Sequence, residues 1–150
     1  MIKQAIIPLA GLGTRLLPLT SVFAKELLPI NGKPGIEYIL DECADAGIKK
    51  IVFIISKKKQ MIKDYFYKDS FYKKIIKKKK DKRLIEEFKK IKRYQKMIKF
   101  VYQNKPKGTG DAVLRCQKYI KNKYFLMLLP DDLIIRNNCC LLYTSPSPRD

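Results

Sequence analysis

A short loop of small residues, placed directly after an apolar run near the N-terminus, constrains this chain more than any other feature. Residues 5–9 are apolar throughout, and residues 10–15 read AGLGTR. A continuous apolar run that stops at a glycine loop is typical of a strand buried on both faces of a sheet. Glycines at positions 11 and 13 let the main chain come close to a ligand and allow a positive φ. The pattern therefore predicts a buried strand that ends in a loop able to cradle phosphate groups.

Two cations accompany this loop. Arg15 ends it, and Lys25 follows ten residues later, beside Glu26. A guanidinium offers a planar fork and an ammonium a point charge, so together they suit a polyphosphate. The P-loop pattern G-x-x-x-x-G-K-[ST] does not occur, and a dinucleotide fingerprint would need glycine where Leu16 stands. For the two glycines alone, a tight turn without a ligand would be the better interpretation.

The rest of the chain alternates between strand and helix patterns. Apolar runs predict three further strands, at residues 50–55, 98–103 and 124–129. Helical periodicity marks the segments 35–46, 56–67, 84–98 and 112–119. Two stretches are predicted as turns, residues 31–34 and an exposed lysine-rich one at 77–80. The alternation predicts an α/β fold, with a Rossmann-like, doubly wound and mainly parallel sheet.

This fold class indicates where a site would lie. In such sheets, ligands bind beyond the carboxyl ends of the strands, where the strand order reverses. The fourth predicted strand ends in Pro130-Asp131-Asp132. If the first strand lies beside the fourth, the glycine loop and these carboxylates share one crevice.

The composition excludes several kinds of catalytic site. The 150 residues include no histidine, so Ser-His-Asp and Cys-His catalysis and histidine-containing zinc sites are excluded. The four cysteines form no C-x-x-C pair, and we interpret Cys43 and Cys116 as reduced apolar side chains on helices. No apolar run could span a bilayer, and no signal-peptide cleavage site follows the N-terminal run. We therefore expect a cytoplasmic protein without a membrane partner.

The net charge of +19 is concentrated in one segment. Residues 57–99 hold 19 Lys or Arg against 5 Asp or Glu, which accounts for +14 of the total. Such an excess can be the electrostatic footprint of a nucleic-acid-binding module. We favour a solvated helical face, because nearly all of these cations are lysines and no nucleic-acid-binding motif accompanies them. The nucleic-acid-binding module stays the alternative from a different class of function.

The strings AGLGTRLLPLT and AKELLP closely resemble the signature of the sugar-1-phosphate nucleotidyltransferase family. The similarity covers nearly everything up to about Asn138, with one departure at Ala24, where the family usually has proline. The GLG loop followed by K-E-x-L-P is most similar to the uridylyl branch. The resemblance thus implies UTP and glucose 1-phosphate as substrates, UDP-glucose and pyrophosphate as products, and Mg²⁺ as cofactor. A sister enzyme that uses dTTP, ATP or another sugar phosphate is the nearest alternative.

The resemblance also implies a role for each site residue. Arg15 and Lys25 would be catalytic, Arg15 at the departing pyrophosphate and Lys25 at the α-phosphoryl group. Asp131 would bind the metal, while the roles of its neighbour Asp132 and of Asp111 are left open. Gln103 would hydrogen-bond the uracil edge. The residues expected to contact the nucleotide are Ala10, Gly11, Gly13, Thr14, Glu26, Gln103 and Gly108.

The domain organisation follows from where the resemblance stops. We assign residues 1–138 to the nucleotide-binding part of a nucleotidyl transferase domain. Residues 139–150 lose both the periodicity and the resemblance, so we expect a non-native or disordered tail. Family members run on well beyond this point. We therefore interpret the chain as an N-terminal fragment with weak nucleotide binding and little turnover, and a homo-oligomeric parent remains one alternative.

Overall fold

Six strands and five α-helices are formed by residues 2–105 and 107–131, which the computed structural model describes. The strands are β1 (Gln4–Pro8), β2 (Pro29–Ile30), β3 (Lys33–Pro34), β4 (Lys50–Ile55), β5 (Ile98–Tyr102) and β6 (Leu126–Met127). The helices are α1 (Gly35–Asp45), α2 (Gln60–Tyr67), α3 (Ser70–Lys79), α4 (Lys82–Met97) and α5 (Gly108–Cys116). Asp132 and the predicted tail 139–150 lie outside the described residues.

Four of the strands form a parallel sheet in the order β5-β4-β1-β6. β1 pairs with β4 on one side and with β6 on the other, where Ala5 lies opposite Leu126. The strand order therefore reverses beside β1, the position at which doubly wound sheets bind ligands. The predicted α/β class is confirmed, and the condition for a shared crevice, that the first strand lies beside the fourth, is met.

Alternate side chains of the sheet supply two cores, one on each face. Phe53 lies on the face covered by α1, α2 and α4. The centroid of its ring lies 6.0 Å from that of Phe66 and 5.6 Å from that of Phe100. Ile54 points to the opposite face, toward Ala112 of α5. Because both faces are covered, the central strands β1 and β4 are buried along almost their whole length instead of alternating between buried and exposed residues. Truncation of Phe53 to alanine would cost about 3–5 kcal/mol of the free energy of unfolding.

Helix α1 shows how local sequence sets the bounds of an element. Ile36, Ile39, Leu40 and Cys43 recur at helical spacing and are all buried. Gly47 follows with φ +74°, a conformation that ends a helix at little cost only for glycine. The predicted helix 35–46 is confirmed to within one residue.

Within the basic segment 57–99, the predicted helix 84–98 is the amphipathic helix α4. Ile91 and Tyr94 of α4 pack against the first core. The exposed cations of α4 are Lys82, Arg83, Lys89, Arg93 and Lys96. In the preceding helices, Lys68 pairs with Asp64 and Lys73 with Asp69. Among the described residues, no helix is both long and apolar enough to cross a membrane.

Several predicted local features are wrong. The lysine-rich stretch 77–80 is exposed at residues 78–80, as predicted, but it is not a turn: α3 runs on to Lys79 and Lys80 caps it, because lysine is a good helix former and Ile75 and Ile76 give the segment an apolar side. The predicted helix 56–67 begins with a 3-10 turn, Lys57–Lys59, and Ser56 does not cap it. Helix α5 starts at Gly108, four residues before the predicted start of the helix 112–119. β6 is only two residues long.

Candidate active site

A cleft of about 250 Å³ opens beyond the carboxyl ends of the central strands, between the glycine loop and α5. Two segments that are far apart in sequence, the residues after β1 and the residues after β6, face each other across it. Seven predicted site residues line the cleft: Ala10, Gly11, Lys25, Glu26, Gln103, Gly108 and Asp131. The other three, Gly13, Thr14 and Arg15, belong to the glycine loop but are not among the lining residues.

The two glycines of the loop have different structural tasks. Gly13 has φ +69°, and its carbonyl oxygen accepts a 2.7 Å hydrogen bond from Thr20 Oγ1. A Cβ atom at position 13 would lie only 3.1 Å from Thr20 Cγ2. At Gly11 a Cβ atom would meet nothing within 4 Å, although this residue lines the cleft. Gly13 therefore fixes the loop, whereas Gly11 leaves open space beside it.

Lys25 and Asp131 meet across the cleft. Lys25 Nζ lies 3.1 Å from Asp131 Oδ2, with 22% and 56% of the two side chains exposed. The hydrogen bond from Lys25 lowers the pKa of Asp131, and the charge of Arg15 acts in the same direction. Arg15 is exposed in the 3-10 turn Thr14–Leu16. All three charged residues that were assigned to catalysis and metal binding thus influence one site.

Glu26 lines the cleft, but its carboxylate is held from behind by a residue that sequence reasoning missed. Lys59 Nζ donates to both carboxylate oxygens, at 2.7 and 2.8 Å. The side chain of Glu26 is 1% exposed and that of Lys59 is 10% exposed. Burial lowers the pKa of Lys59, and the Glu26 carboxylate opposes this effect. The available signal was position, since residues that directly follow the end of a parallel strand are frequent site residues.

Gln103 is fixed by a second carboxylate. Its Nε2 atom donates to Gly108 O at 3.1 Å and to Asp111 Oδ2 at 2.7 Å. Asp111 also accepts a 2.7 Å bond from Arg115 Nε. Because a carboxylate only accepts, the amide nitrogen of Gln103 must face Asp111. Asp111, whose role the sequence left open, thereby orients Gln103.

A family model described as "Nucleotidyl transferase" matches residues 4–143. The chain belongs to the nucleotidyl transferase family. The match confirms the resemblance, which was based on residues 10–15 and on the string AKELLP. Membership of this family also agrees with the position of the cleft at the switch point of the sheet.

Two curated relatives are similar to this nucleotidyl transferase chain over most of its length. It is 42% identical over 136 residues to the UTP–glucose-1-phosphate uridylyltransferase of Mycoplasma pneumoniae, covering 89% of this chain and 45% of that protein. It is 39% identical over 133 residues to the enzyme of the same name from Bacillus subtilis, with the same two coverages. The chain therefore spans about 45% of the length of the curated relatives it matches.

A solved structure agrees with the fold. The UTP-bound UGPase from Acinetobacter baumannii superposes with a TM-score of 0.80 at 35% identity, covering 87% of this chain and 46% of that one. The nucleotidyl transferase chain thus shares the sheet and helices of a structure that was solved with UTP bound.

Proposed function

We propose that this chain is the nucleotide-binding part of an enzyme that transfers a uridylyl group from UTP to glucose 1-phosphate. The products are UDP-glucose and pyrophosphate. The observation that carries the proposal is the convergence of Gly11, Lys25 and Asp131 on one cleft at the switch point of the sheet. Because the chain spans about 45% of its relatives, the whole reaction is assigned to the complete polypeptide that carries it.

The reaction needs little covalent help from the protein. A phosphate oxygen of the sugar phosphate, already an anion, forms a bond to the α-phosphorus of UTP. The bond from that phosphorus to the bridging oxygen breaks, and pyrophosphate leaves with the electron pair. Catalysis then consists of positioning and of electrostatic stabilisation of the charge that develops on the phosphoryl oxygens. No proton has to be taken from the nucleophile, which suits a chain without histidine.

The cations of the cleft have distinct tasks in this proposal. Lys25 stabilises the α-phosphoryl group and aligns the incoming phosphate. Arg15 neutralises the departing pyrophosphate, for which a guanidinium at the mouth of the loop is well suited. The main chain at Ala10, Gly11, Gly13 and Thr14 contacts the nucleotide, and the absence of a side chain at Gly11 leaves the room for it.

The described residues fit a magnesium ion that is shared with the nucleotide. Among them, no cluster of three or more potential metal ligands occurs. Magnesium is usually held by one or two carboxylates together with substrate phosphates and waters, so one well-placed aspartate is sufficient. Asp131, half exposed at the edge of the cleft, provides it. When bound, the ion would neutralise phosphate charge, while Asp131 fixes its position on the protein.

The orientation of Gln103 supports recognition of a uracil-type edge. Within residues 2–105 and 107–131, both hydrogen bonds of its amide group use Nε2, which leaves Oε1, an acceptor, for a ligand. The N3–H group of uracil is a donor, whereas N3 of cytosine is an acceptor, so this orientation favours UTP over CTP. Thymine presents the same edge as uracil. A sister enzyme that uses dTTP is therefore the alternative that this geometry leaves open.

The test is a pyrophosphate-release assay on the complete polypeptide with Mg²⁺, glucose 1-phosphate, and UTP, dTTP, ATP or CTP in turn. Fastest release with UTP, and UDP-glucose as the product, would support the proposal. A preference for dTTP would move the protein to the sister activity. No release with any nucleotide from folded protein would overturn both. A cytoplasmic location, a homo-oligomeric parent and the nature of residues 139–150 stay predictions.

The nucleic-acid alternative has its own test. A gel-shift experiment at physiological salt with duplex and single-stranded probes measures it directly. Tight binding that falls steeply with salt and is lost when lysines 77–80 are replaced would establish it. We expect no such binding, because nearly all cations of the segment are lysines and one exposed lysine of α4, Lys89, already pairs with Glu86.

A further inference from the structure

A buried ion pair stands directly behind the cleft, next to Lys25. Lys59 and Glu26 are almost completely removed from solvent, and Lys59 Nζ donates to both oxygens of Glu26. The attraction within a buried pair is largely offset by the loss of hydration of both charges, so such pairs add little net stability. A contribution to stability therefore does not by itself account for this pair.

The pair fixes one particular turn of the backbone. Lys25, Glu26 and Leu27 form a single 3-10 turn, closed by the bond from Leu28 N to Lys25 O at 3.2 Å. Within this turn, Glu26 points into the protein and Lys25 points to Asp131. Lys25 and Glu26 are consecutive residues of one short turn. Holding the Glu26 side chain in place therefore also holds the backbone at Lys25 and the direction of its side chain.

The anchor belongs to the rigid part of the fold. Lys59 ends the 3-10 turn Lys57–Lys59, which directly follows the central strand β4 and leads into α2. The same helix holds the preceding loop residue, since Ala24 N donates to Met61 Sδ at 3.1 Å. The ion pair and the Ala24–Met61 hydrogen bond thus join the turn that carries Lys25 to the segment that follows β4.

We propose that Lys59 is a positioning residue for nucleotidyl transfer: through Glu26 it holds the turn that directs Lys25 at the reacting phosphate. The inference rests on the proposed function for its kinetic part only. Glu26 accordingly acts through Lys59 and Lys25, and direct contact with the nucleotide is not required of it.

The kinetic test is a cycle of two substitutions in the complete polypeptide, Lys59→Met and Lys25→Ala. If Lys59 acts through Lys25, Lys59→Met should lower kcat by about 10-fold or more in the wild-type background. In the Lys25→Ala background, the same substitution should change kcat by less than about twofold. Effects that multiply in the double variant would overturn the proposal.

Two further variants separate positioning from folding. Lys59→Arg keeps a charged, bidentate partner for Glu26 and should retain kcat to within about threefold. Glu26→Gln removes the pair from the other side without leaving a buried carboxylate unpaired, and it should reproduce the loss of kcat even if Lys59→Met folds poorly. A Glu26→Gln protein that is folded and fully active would overturn the inference.

A readout that does not depend on the reaction distinguishes the two proposals. Competitive amine labelling, followed by peptide mass spectrometry, reports how accessible Lys25 is relative to the exposed Lys49 in the same sample. In Lys59→Met or Glu26→Gln, labelling of Lys25 should rise several-fold against Lys49. Unchanged labelling in a folded variant would overturn the positioning role. Raised labelling together with a wild-type protein inactive toward every nucleotide would reject only the proposed function.

Discussion

Lys25 Nζ lies 3.1 Å from Asp131 Oδ2, and this contact joins the loop that carries Lys25 to the segment that follows β6. Because more than half of the Asp131 side chain is exposed, water screens this pair, and it contributes only about 0–1 kcal/mol to the free energy of unfolding. Asp131 can bind a cation in place of Lys25, and Lys25 can bind a phosphate group in place of Asp131. Without a ligand, this contact therefore neutralises both charges, and breaking it costs little free energy.

We expect Asp131→Asn to change the metal requirement and to leave stability almost untouched. Loss of the anionic ligand should raise the Mg²⁺ concentration for half-maximal activity about 10-fold or more. The free energy of unfolding should change by less than about 0.5 kcal/mol, since the pair is exposed. Magnesium titration of the complete polypeptide measures the first quantity, with Asp45→Asn, an exposed carboxylate at the end of α1, as the control. An unchanged titration would assign the metal to Asp132 or another residue.

Lys25→Ala should reduce turnover severely while the protein stays folded. The ammonium has no packing role that the structure shows, but it would be the main positive charge at the α-phosphoryl group. Removal of one such electrostatic contact typically costs about 10²–10³ in kcat. The matched control is Lys49→Ala, an exposed lysine at the amino end of β4, away from the cleft. Similar rates for the two variants would reject the role assigned to Lys25.

The sequence was sufficient for the architecture because its signals are local. Four apolar runs separated by helical periodicity allow few arrangements, and the parallel-sheet rules place the residues after β1 and β6 at one edge. The roles of Lys25 and Asp131 came from the resemblance to the family, and the cleft brings both residues together with Gly11.

The supporting residues could not be predicted for a physical reason. Lys57, Lys58 and Lys59 are indistinguishable in sequence, and only the 3-10 turn sends the third one inward while the first two face solvent. Asp111 reaches Gln103 because α5 begins at Gly108, four residues earlier than the periodicity predicts. Both contacts depend on the backbone path over a few residues, which apolar patterns do not determine.

The two glycines of the loop provide a matched pair of substitutions. Gly13→Ala forces a side chain into a positive-φ conformation and toward Thr20, and it should cost about 1–2 kcal/mol of the free energy of unfolding. Gly11→Ala has neither problem and should leave stability within about 0.5 kcal/mol of wild type. Its methyl group, however, would occupy space beside the cleft, so UTP affinity should fall about 10-fold. Denaturant unfolding and titration calorimetry separate the two effects, and equal stability losses would contradict the assignment.

A network around Asp41 of α1 should make the fold sensitive to acid. Lys33, Lys90 and Tyr94 donate hydrogen bonds to its carboxylate, and Lys90 also lies 3.3 Å from Glu37. Burial by itself raises the pKa of Asp41, but these hydrogen bonds outweigh it, and the pKa lies below its ordinary value of 3.8. The unfolded chain therefore binds a proton at higher pH than the folded protein does. Stability from this site is fully present above pH 3.8 and is lost as the pH falls through the lower, folded-state pKa.

Asp41→Asn tests this dependence. The variant should lose about 1–3 kcal/mol of the free energy of unfolding at pH 7, because three donors then face a neutral amide. The difference from wild type should shrink as the pH falls below 3.8 and through the lowered pKa of Asp41, because the wild-type carboxyl then binds a proton as well. Asp64→Asn is the matched control: Asp64 is also paired with a lysine, Lys68, but across one exposed helical turn, so about 0.5 kcal/mol is the most it should lose. Denaturant titrations at several pH values measure both variants. A difference between Asp41→Asn and wild type that stays constant with pH would show that the carboxylate charge contributes nothing to the fold.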